Sequence, residues 1–363
     1  MYIATSPTKS GCNPRSLKTR DARFSASDFS TAHPTGFNSE ENVDSSTHPE
    51  NAAEFHHVPV LADEVLAALA PQPGELFVDG TLGGGSHTEL LLRAGAHVIG
   101  LDQDATALRH ASERLKPFGE AFHPVKANFR NLAQVLHDLG IPSIDGLLLD
   151  VGVSSHQLDT AERGFSFQSD GPLDMRMDRS AALTAAQLVN TADIEELIRI
   201  FRKYGEEPSA VRIARHLIAV RQKQRFSTTA QLADAVAAIL PRRGKRHPAT
   251  QIFQALRIAV NDELGALEAA LQLAPTLLKT GARFAVITFH SLEDRLVKQD
   301  FRTRSQRTVD RPEWPAARRN PACVYDEIHR KSITASPGEL SRNPRARSAR
   351  LRAIRKLEST SHV

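Results

Sequence analysis

The chain has 363 residues and a formal net charge of +4, with 40% apolar and 24% charged residues, which is typical of a soluble globular protein of about two domains. No apolar run approaches the roughly 18 residues that a membrane helix needs, and the first residues lack the apolar core of a signal peptide. The two cysteines, Cys12 and Cys323, match neither a zinc spacing nor a disulfide framework, so we expect a cytoplasmic protein without a metal site.

Residues 1–54 are rich in Ser, Thr, Asn, Pro and Asp and contain few large apolar residues. Such a segment cannot bury enough apolar surface to offset the entropy lost on ordering. We therefore predict a disordered N-terminal extension. Order is expected from the segment HHVPVLADEVLAAL, residues 56–69, where apolar residues fall near helical spacing.

Strand and helix patterns alternate in the next part of the chain. The predicted strands are residues 75–80, 97–104, 122–128 and 144–153. The predicted helices between them are residues 86–93, 105–115 and 131–140. This βαβαβαβ order favours a parallel sheet covered by helices.

The pattern then becomes helical, and no strand pattern is evident over residues 182–240. A long amphipathic helix is expected over residues 251–271 and a further strand over 282–290. Residues 291–294 (SLED) resemble a capping box that opens the next helix, with an active-site contact from His290 as the alternative.

These patterns predict an α/β fold with an inserted all-helical domain. The α/β domain would consist of residues 55–160 and 249–363, and the helical domain of residues 161–248. The second α/β part ends in a basic segment, since residues 301–363 hold 15 Lys and Arg against 6 Asp and Glu. Such a segment fits either a polyanionic partner or a solvated tail.

A glycine-rich turn, DGTLGGGSH, spans residues 79–87 between the first strand and its helix. It is neither a Walker A loop nor a strict GxGxxG motif. A tight turn into a helix N-terminus nevertheless allows backbone amides to approach an anionic group closely. Asp102 ends the second strand, where a carboxylate accepts hydrogen bonds from ribose hydroxyls. We interpret Asp104 as the N-cap of the following helix.

Three acidic residues, Asp79, Asp102 and Asp150, each end a predicted strand. The carboxyl ends of parallel strands meet at one edge of a sheet, and unpaired buried carboxylates are costly. The three acids therefore indicate a ligand site, although each could instead cap a helix. An acidic crevice suits the cationic sulfonium of S-adenosylmethionine better than a pyrophosphate, which favours methyl transfer over an NAD-dependent oxidoreductase.

Seven segments, in this order, resemble the bacterial ribosomal RNA small-subunit methyltransferase H family, also called MraW. They are DGTLGGGSH, GLDQD, DGLLLDVGVSSHQLDTAERGFSFQSDGPLDMRMD, YGEEPSAVRIARHLI, HPATQIFQALRIAVNDEL, FHSLEDRLVK and NPRARSARLR. The resemblance covers about residues 56–357. It implies a Rossmann-like, S-adenosylmethionine-dependent methyltransferase that methylates N4 of a cytidine in 16S small-subunit ribosomal RNA.

The same resemblance implies seven cofactor contacts: Gly85, Ser86, His87, Asp102, Phe129, Asp150 and Gln157. Among these, Asp102 would hold the ribose and Phe129 would lie near the adenine. The family usually has Gly-Gly-His where this chain has Gly85-Ser86-His87. Serine adds a hydroxyl and a Cβ at a position where the backbone approaches the ligand closely.

Asp150 is the candidate catalytic residue. The amino nitrogen of cytosine is a poor nucleophile because its lone pair is delocalised into the ring. An acceptor for its hydrogens and in-line positioning would both lower the barrier. The Asp/Asn-Pro-Pro-aromatic turn of many amino-methyltransferases is absent here, so the methylated atom follows from the resemblance alone. His87 and His156 are weaker candidates for removing the proton.

Residues 162–178 are predicted to form a loop over the pocket. Phe165 and Phe167 would either stack on a flipped base or anchor the loop in the core. The arginines in and next to this loop would either contact phosphates or pair with neighbouring acids: Arg163, Arg176 and Arg179.

Two basic stretches, residues 242–247 and 342–356, are predicted phosphate contacts and contain glycine or proline, so we expect loops at least in part. The expected partner is 16S ribosomal RNA within the small ribosomal subunit. The alternatives are a non-catalytic ribosome assembly factor and a methyltransferase acting on another nucleic acid.

Overall fold

The computed structural model of the chain describes residues 59–240 and 247–358. The predicted N-terminal extension and the basic residues 242–246 lie outside the described residues. Within the described ranges, no helix combines the length and the apolarity that crossing a bilayer requires.

The strands of the described residues belong to one large sheet and one two-stranded sheet. They are β1 (Leu76–Asp79), β2 (His97–Asp102), β3 (Phe122–Lys126), β4 (Ile144–Asp150), β5 (Leu278–Thr288), β6 (Thr308–Val309), β7 (Arg318–Arg319), β8 (Tyr325–Glu327) and β9 (Arg350–Lys356). The predicted strands overrun the observed ones by one to three residues at their carboxyl ends. The residues just beyond the strands enter the loops that carry the ligand site.

In the described part of the chain, seven strands form one sheet in the order β3-β2-β1-β4-β5-β9-β8. Strands β1 to β5 are parallel to one another, whereas β9 is antiparallel to β5 and β8 is antiparallel to β9. Strands β6 and β7 pair separately. The predicted parallel sheet is therefore confirmed.

Helices cover both faces of this sheet. They are α1 (Ala62–Leu69), α2 (Ser86–Arg93), α3 (Ala105–Leu115), α4 (Leu132–Asp138), α11 (Glu263–Leu277), α12 (Ser291–Ser305) and α13 (Pro337–Arg342). The short helix α5 (Ser155–Asp159) follows β4, and its Leu158 packs instead against the helical core. Alternate residues of β4 enter different cores: Leu147 and Leu149 pack with α4, α11 and α12, and Leu148 packs with α1, α2 and α3. Burial on both faces explains why β4 reads as a continuous apolar run.

The remaining helices form a second core. They are α6 (Ala185–Thr191), α7 (Ile194–Lys203), α8 (Ala210–Arg221), α9 (Thr229–Ala237) and α10 (Thr250–Asn261). Phe201, Leu217 and Leu256 are all fully buried in this core. This core includes α10 as well as the helices α6 to α9. The domain bounds expected from the sequence stay a prediction.

The prediction of one helix over residues 251–271 is wrong. Asp262 adopts a left-handed backbone conformation with φ of 47°, which separates α10 from α11. The break redirects the chain, so that α10 packs in the helical core and α11 packs against the sheet. Both halves have apolar stripes, and sequence periodicity therefore gave no sign of the break.

The end of the basic C-terminal segment is also more ordered than predicted. Residues 350–356 form β9 between β5 and β8, inside the sheet. Leu351 and Ala353 are buried on one face, and Ile354 is buried on the other. The interleaved arginines conceal this pattern in the sequence.

Candidate active site

The three predicted acids lie at one edge of the sheet. Asp102, Asp79 and Asp150 end β2, β1 and β4, which are adjacent parallel strands in that order. This is the edge at which open parallel sheets bind ligands. The prediction that the three acids come together is confirmed.

Asp79 organises the glycine-rich turn. Its side chain is only 1% exposed, and it accepts hydrogen bonds from the backbone N–H of Thr81 at 3.1 Å and from Oγ1 of Thr88 at 2.7 Å. Burial raises the pKa of Asp79, and these hydrogen bonds oppose the rise. Asp79 therefore ties the turn to the first helical residues of α2.

The turn brings the start of α2 close to α3. Gly85 has φ of +75°, and a Cβ there would lie 2.9 Å from Cδ1 of Leu115. The next residue, Ser86, is the first residue of α2 and is buried. Its Oγ accepts a hydrogen bond from Nη1 of Arg114 at 2.8 Å. The serine that departs from the family's usual glycine is thus bound by α3.

Asp102 holds the other side of the turn. Its Oδ2 accepts from the backbone N–H of Gly83 at 2.9 Å, and its Oδ1 accepts from that of Asp104 at 2.8 Å. Burial raises its pKa to about 6, against the effect of these two amides. Each carboxylate oxygen can accept a second hydrogen bond, so Asp102 retains the capacity to bind hydroxyls.

The predicted N-cap Asp104 is confirmed, since its side chain accepts from the backbone N–H of Thr106 at 3.0 Å. Asp104 also forms a buried ion pair with Arg163, which is only 4% exposed. Of the two expectations for Arg163, pairing with an acid is therefore the one observed. Gln157 donates from Nε2 to Asp104 at 3.1 Å and accepts from the backbone N–H of Ser154. The amide of Gln157 thus fixes α5 against this ion pair.

Asp150 and His87 face each other. The carbonyl of Val60 accepts a hydrogen bond from Nε2 of His87 at 2.9 Å, which leaves Nδ1 of His87 3.6 Å from Oδ2 of Asp150. The backbone N–H of Asp150 donates to Oγ1 of Thr81 at 2.6 Å. Its other carboxylate oxygen, Oδ1, is buried and has no hydrogen-bond partner among the described residues.

The electrostatic environment of Asp150 disfavours its charged form. The pKa of Asp150 is raised to about 6. Burial raises it most, the neighbouring carboxyls of Asp79 and Glu293 also raise it, and His87 lowers it. A buried acceptor oxygen without a donor is costly. A ligand that brings a donor or a positive charge would relieve that cost.

Phe129 lies beside the same turn. It begins a short 3-10 helix after β3, and its Cβ is 3.0 Å from where a Cβ on Gly80 would lie. The preceding Asn128 donates to Oε1 of Gln103 at 3.0 Å, which links the ends of β2 and β3. The structure thus places Phe129 near the glycine-rich turn, and its role beside adenine stays a prediction.

The two phenylalanines of the predicted loop lie in the helical core. Phe165 is buried there, and the Phe167 ring lies 4.8 Å from the Phe253 ring. Phe165 and Phe167 therefore anchor the loop in the helical core. Arg176 forms two hydrogen bonds to Asp174 through its guanidinium, so it too pairs with an acid.

Sequence reasoning missed a buried ion-pair network beside Asp150. Arg257 of α10 binds both carboxylate oxygens of Glu263 at 2.8 Å and lies 4.0 Å from Glu293. Glu293 is also 3.0 Å from Nε2 of His290. Oxygen and nitrogen atoms of Glu263, His290 and Glu293 lie within 4.8 Å of one another. Because Arg257 supplies the balancing positive charge, we interpret the cluster as a link between the helical core and the sheet.

The capping box at α12 begins one residue earlier than predicted. The N-cap is His290, which pairs with Glu293, rather than Ser291. Ser291 instead donates to Glu206, which also binds Arg295 at 3.0 Å. Glu206 has a positive φ of 48° in the connection between α7 and α8. The connection between α7 and α8 is therefore linked to the start of α12, beside the ligand edge of the sheet.

The residues of this edge fit S-adenosylmethionine. The turn at the start of α2 offers a helix N-terminus for a carboxylate, and Asp102 offers acceptors for ribose hydroxyls. The partnerless oxygen of Asp150 suits a cationic or hydrogen-donating group. A parallel sheet with a glycine turn and acids at the ends of β1, β2 and β4 is typical of α/β enzymes that bind a nucleoside-containing cofactor. The acidic edge favours a methyltransferase among them.

Comparison with known proteins agrees with this class. The model of the MraW methylase family matches residues 54–357, and the chain belongs to that family. The chain is 53% identical over 309 residues to the ribosomal RNA small subunit methyltransferase H of Anaeromyxobacter sp. (strain K), with 84% of this chain and 99% of the relative covered. It is 52% identical over 317 residues to the protein of the same name from Geotalea daltonii, with 84% and 100% covered.

Among solved structures, the chain is similar to an rRNA methylase from Streptococcus thermophilus. The two share 12% identity and a TM-score of 0.35, with 82% of this chain and 94% of that chain covered. This likeness is too low to carry an argument. Family membership confirms the predicted Rossmann-like methyltransferase class and S-adenosylmethionine as the cofactor. The individual cofactor contacts stay predictions.

Proposed function

We propose that this enzyme transfers a methyl group from S-adenosylmethionine to N4 of a cytidine in 16S small-subunit ribosomal RNA. The names of relatives about 50% identical over nearly their whole length support this substrate. The observation that carries the proposed chemistry is the buried Oδ1 of Asp150, which has no hydrogen-bond partner among the described residues. It lies where β4 ends, at the ligand edge of the sheet. A ribosomal substrate also supports the predicted cytoplasmic location.

Asp150 is proposed to accept a hydrogen bond from the amino group of the target cytosine. Such a bond favours a pyramidal nitrogen, whose lone pair is more available for attack. In a buried site the bond is stronger than in water, because the local dielectric is low. The hydrogen bond from the backbone N–H of Asp150 to Oγ1 of Thr81 fixes the backbone from which the carboxylate projects. When bound, S-adenosylmethionine supplies the electrophilic methyl group.

His87 is proposed to take up the proton that the amino group loses. The Nε2–H of His87 donates to the carbonyl oxygen of Val60. The ring nitrogen that can take up a proton is therefore Nδ1, which lies 3.6 Å from Oδ2 of Asp150. A proton received by Asp150 could therefore pass to Nδ1. The other candidate, His156, is exposed on α5 and lies beside Thr160, which makes it less suited to the task.

The proposal is tested by transfer of labelled methyl from S-adenosylmethionine, followed by digestion of the product to nucleosides. The substrates are small ribosomal subunits lacking the modification, naked small-subunit RNA, and DNA. We expect label in N4-methylcytidine from subunits or RNA. Asp150→Asn should lower the rate constant by about 100-fold or more, as the loss of a preorganised electrostatic contact does.

The matched control is Asp310→Asn, because Asp310 is exposed and its side chain forms no ion pair with the described residues. This variant should keep the wild-type rate. Label in another nucleoside, or in DNA alone, would refute the proposed substrate. Cofactor binding without transfer to any nucleic acid would instead favour the alternative of a non-catalytic assembly factor.

A further inference from the structure

A basic groove of about 510 Å³ lies away from the three acids, between α12 and the outer strands β8 and β9. Its basic side chains come from three separate segments: Lys298 and Arg302 of α12, His329 and Arg330 after β8, and Arg352 of β9. Glu327 contributes the acidic side chain of the lining. The groove is therefore a surface of net positive charge.

Most of these basic side chains have no ion-pair partner among the described residues. Arg352 is bound by both carboxylate oxygens of Asp294, at 2.8 and 3.2 Å. In contrast, Lys298, Arg302 and Arg330 are exposed, and no ion pair is found for them within the described residues. Like charges held near one another repel. An anionic ligand would convert that repulsion into attraction.

The fold projects part of this charge outward from the sheet edge. The backbone N–H of Ile328 donates to Ala353 at 3.1 Å, and that of Ile333 donates to Leu351 at 2.9 Å. Ile328 and Ile333 are five positions apart in the chain, whereas Ala353 and Leu351, with which they pair, are only two positions apart. The intervening residues 329–332 must therefore bulge out of the sheet edge. This bulge carries two of the exposed cations, Arg330 and Lys331.

The groove is continuous with the ligand edge of the sheet. Arg350 lies opposite Thr288 at the carboxyl end of β5, and side chains two apart on a strand share a face. Arg350 and Arg352 therefore lead from that edge toward the groove. Along α12, which starts at the same edge, Arg302 lies about 16 Å from Ser291 at a rise of about 1.5 Å per residue.

We propose that this groove binds the phosphodiester backbone of the ribosomal RNA next to the target base. The inference rests on the proposed function for the identity of the RNA. Backbone contacts of this kind give affinity and position the substrate without reading its sequence. They would fix the RNA strand while the base enters the candidate active site.

The test removes three unpaired cations together: Lys298→Gln, Arg302→Gln and Arg330→Gln. The control removes three exposed cations elsewhere, which form no ion pair with the described residues: Lys116→Gln, Lys223→Gln and Arg225→Gln. The dissociation constant for naked small-subunit RNA is measured from low to high salt. Steady-state kinetics with subunits and binding of S-adenosylmethionine alone are measured in parallel.

For the groove variant we expect RNA affinity to fall by roughly 10- to 100-fold at physiological salt. The slope of log affinity against log salt concentration should become shallower by about 2. Each lost contact to a phosphate of a single strand reduces the slope by about 0.7, and three cations are removed. KM for subunits should rise by a similar factor. The rate constant at saturating RNA and cofactor binding should change by less than about twofold, and the control variant should match the wild type.

Equal RNA affinity and salt slope in the groove and control variants would overturn the proposal. Aggregation of the groove variant with unchanged RNA affinity would also overturn it, because the cations would then serve to protect the sheet edge from pairing with other chains. RNA binding is measured directly. A groove-dependent loss of binding in an enzyme that methylates no RNA would therefore support the groove and refute the proposed function.

Discussion

Asp150 is expected to lower the stability of the fold at neutral pH. Burial raises its pKa from 3.8 to about 6, so the folded chain binds more protons than the unfolded chain between these pH values. Stability therefore falls as pH rises through this window. The full pKa shift corresponds to a loss of about 3 kcal/mol in the free energy of unfolding, at about 1.4 kcal/mol per pKa unit. Because the side chain is 25% exposed, we expect an effect of about 1–2 kcal/mol.

The substitution Asp150→Asn isolates this effect, because asparagine has the same shape and no charge. Above pH 7 the variant should exceed the wild type in free energy of unfolding by about 1–2 kcal/mol. The difference should disappear below about pH 3, where the wild-type carboxyl is protonated in both states. Urea denaturation at a series of pH values measures it directly, and the melting temperature should shift by about 2 °C per kcal/mol.

The same variant should lose methyl transfer, so stability and activity would change in opposite directions. In the wild type, kcat/KM should fall as pH drops below about 6, because a protonated Asp150 cannot accept the amino hydrogen. An Asp150→Asn protein that is less stable than wild type at pH 8 would refute the reasoning. So would a stability difference that is constant from pH 4 to pH 8. Asp310→Asn serves as the exposed control.

Three other changes test the structure. Gly85→Ala places a Cβ 2.9 Å from Leu115 at a φ of +75°, so we expect a loss of about 1–2 kcal/mol and a smaller thermal shift with S-adenosylmethionine. Arg163→Met leaves the buried Asp104 without its ion partner; it should cost about 3–5 kcal/mol in denaturation experiments, and adding Asp104→Asn should recover part of that loss. Deletion of residues 1–54 should leave methyl transfer intact, and a clear fall in turnover would contradict the prediction that this extension is dispensable.

Much of the sheet could be predicted because its signals are local. Strands β1 to β4 are short apolar runs that end in acids or enter loops, and the helices between them have a clear period. Parallel order then places Asp79, Asp102 and Asp150 at one edge by topology alone. For this reason the location of the candidate site followed from the sequence before any tertiary packing was known.

Two features of the fold required tertiary packing. The break at Asp262 is not visible in the apolar periodicity, because the segments on both sides of it have apolar stripes. Strand β9 is rich in arginine, and it is stabilised by pairing with β5 and β8 on either side. Sequence periodicity describes one segment at a time, so it cannot detect a strand whose stability comes from its neighbours.

The partners of charged residues were likewise decided by the fold. Arg163 could have met a phosphate, but the fold buries it beside Asp104, 59 positions earlier in the chain. The link from Glu206 to Arg295 also joins distant segments, 89 positions apart. The sequence by itself determined the edge of the sheet that carries the site, because that depends on local pattern and strand order, and its resemblance to a known family indicated the class of enzyme. Only the tertiary structure decided which charges are neutralised, because that depends on which distant side chains burial brings together.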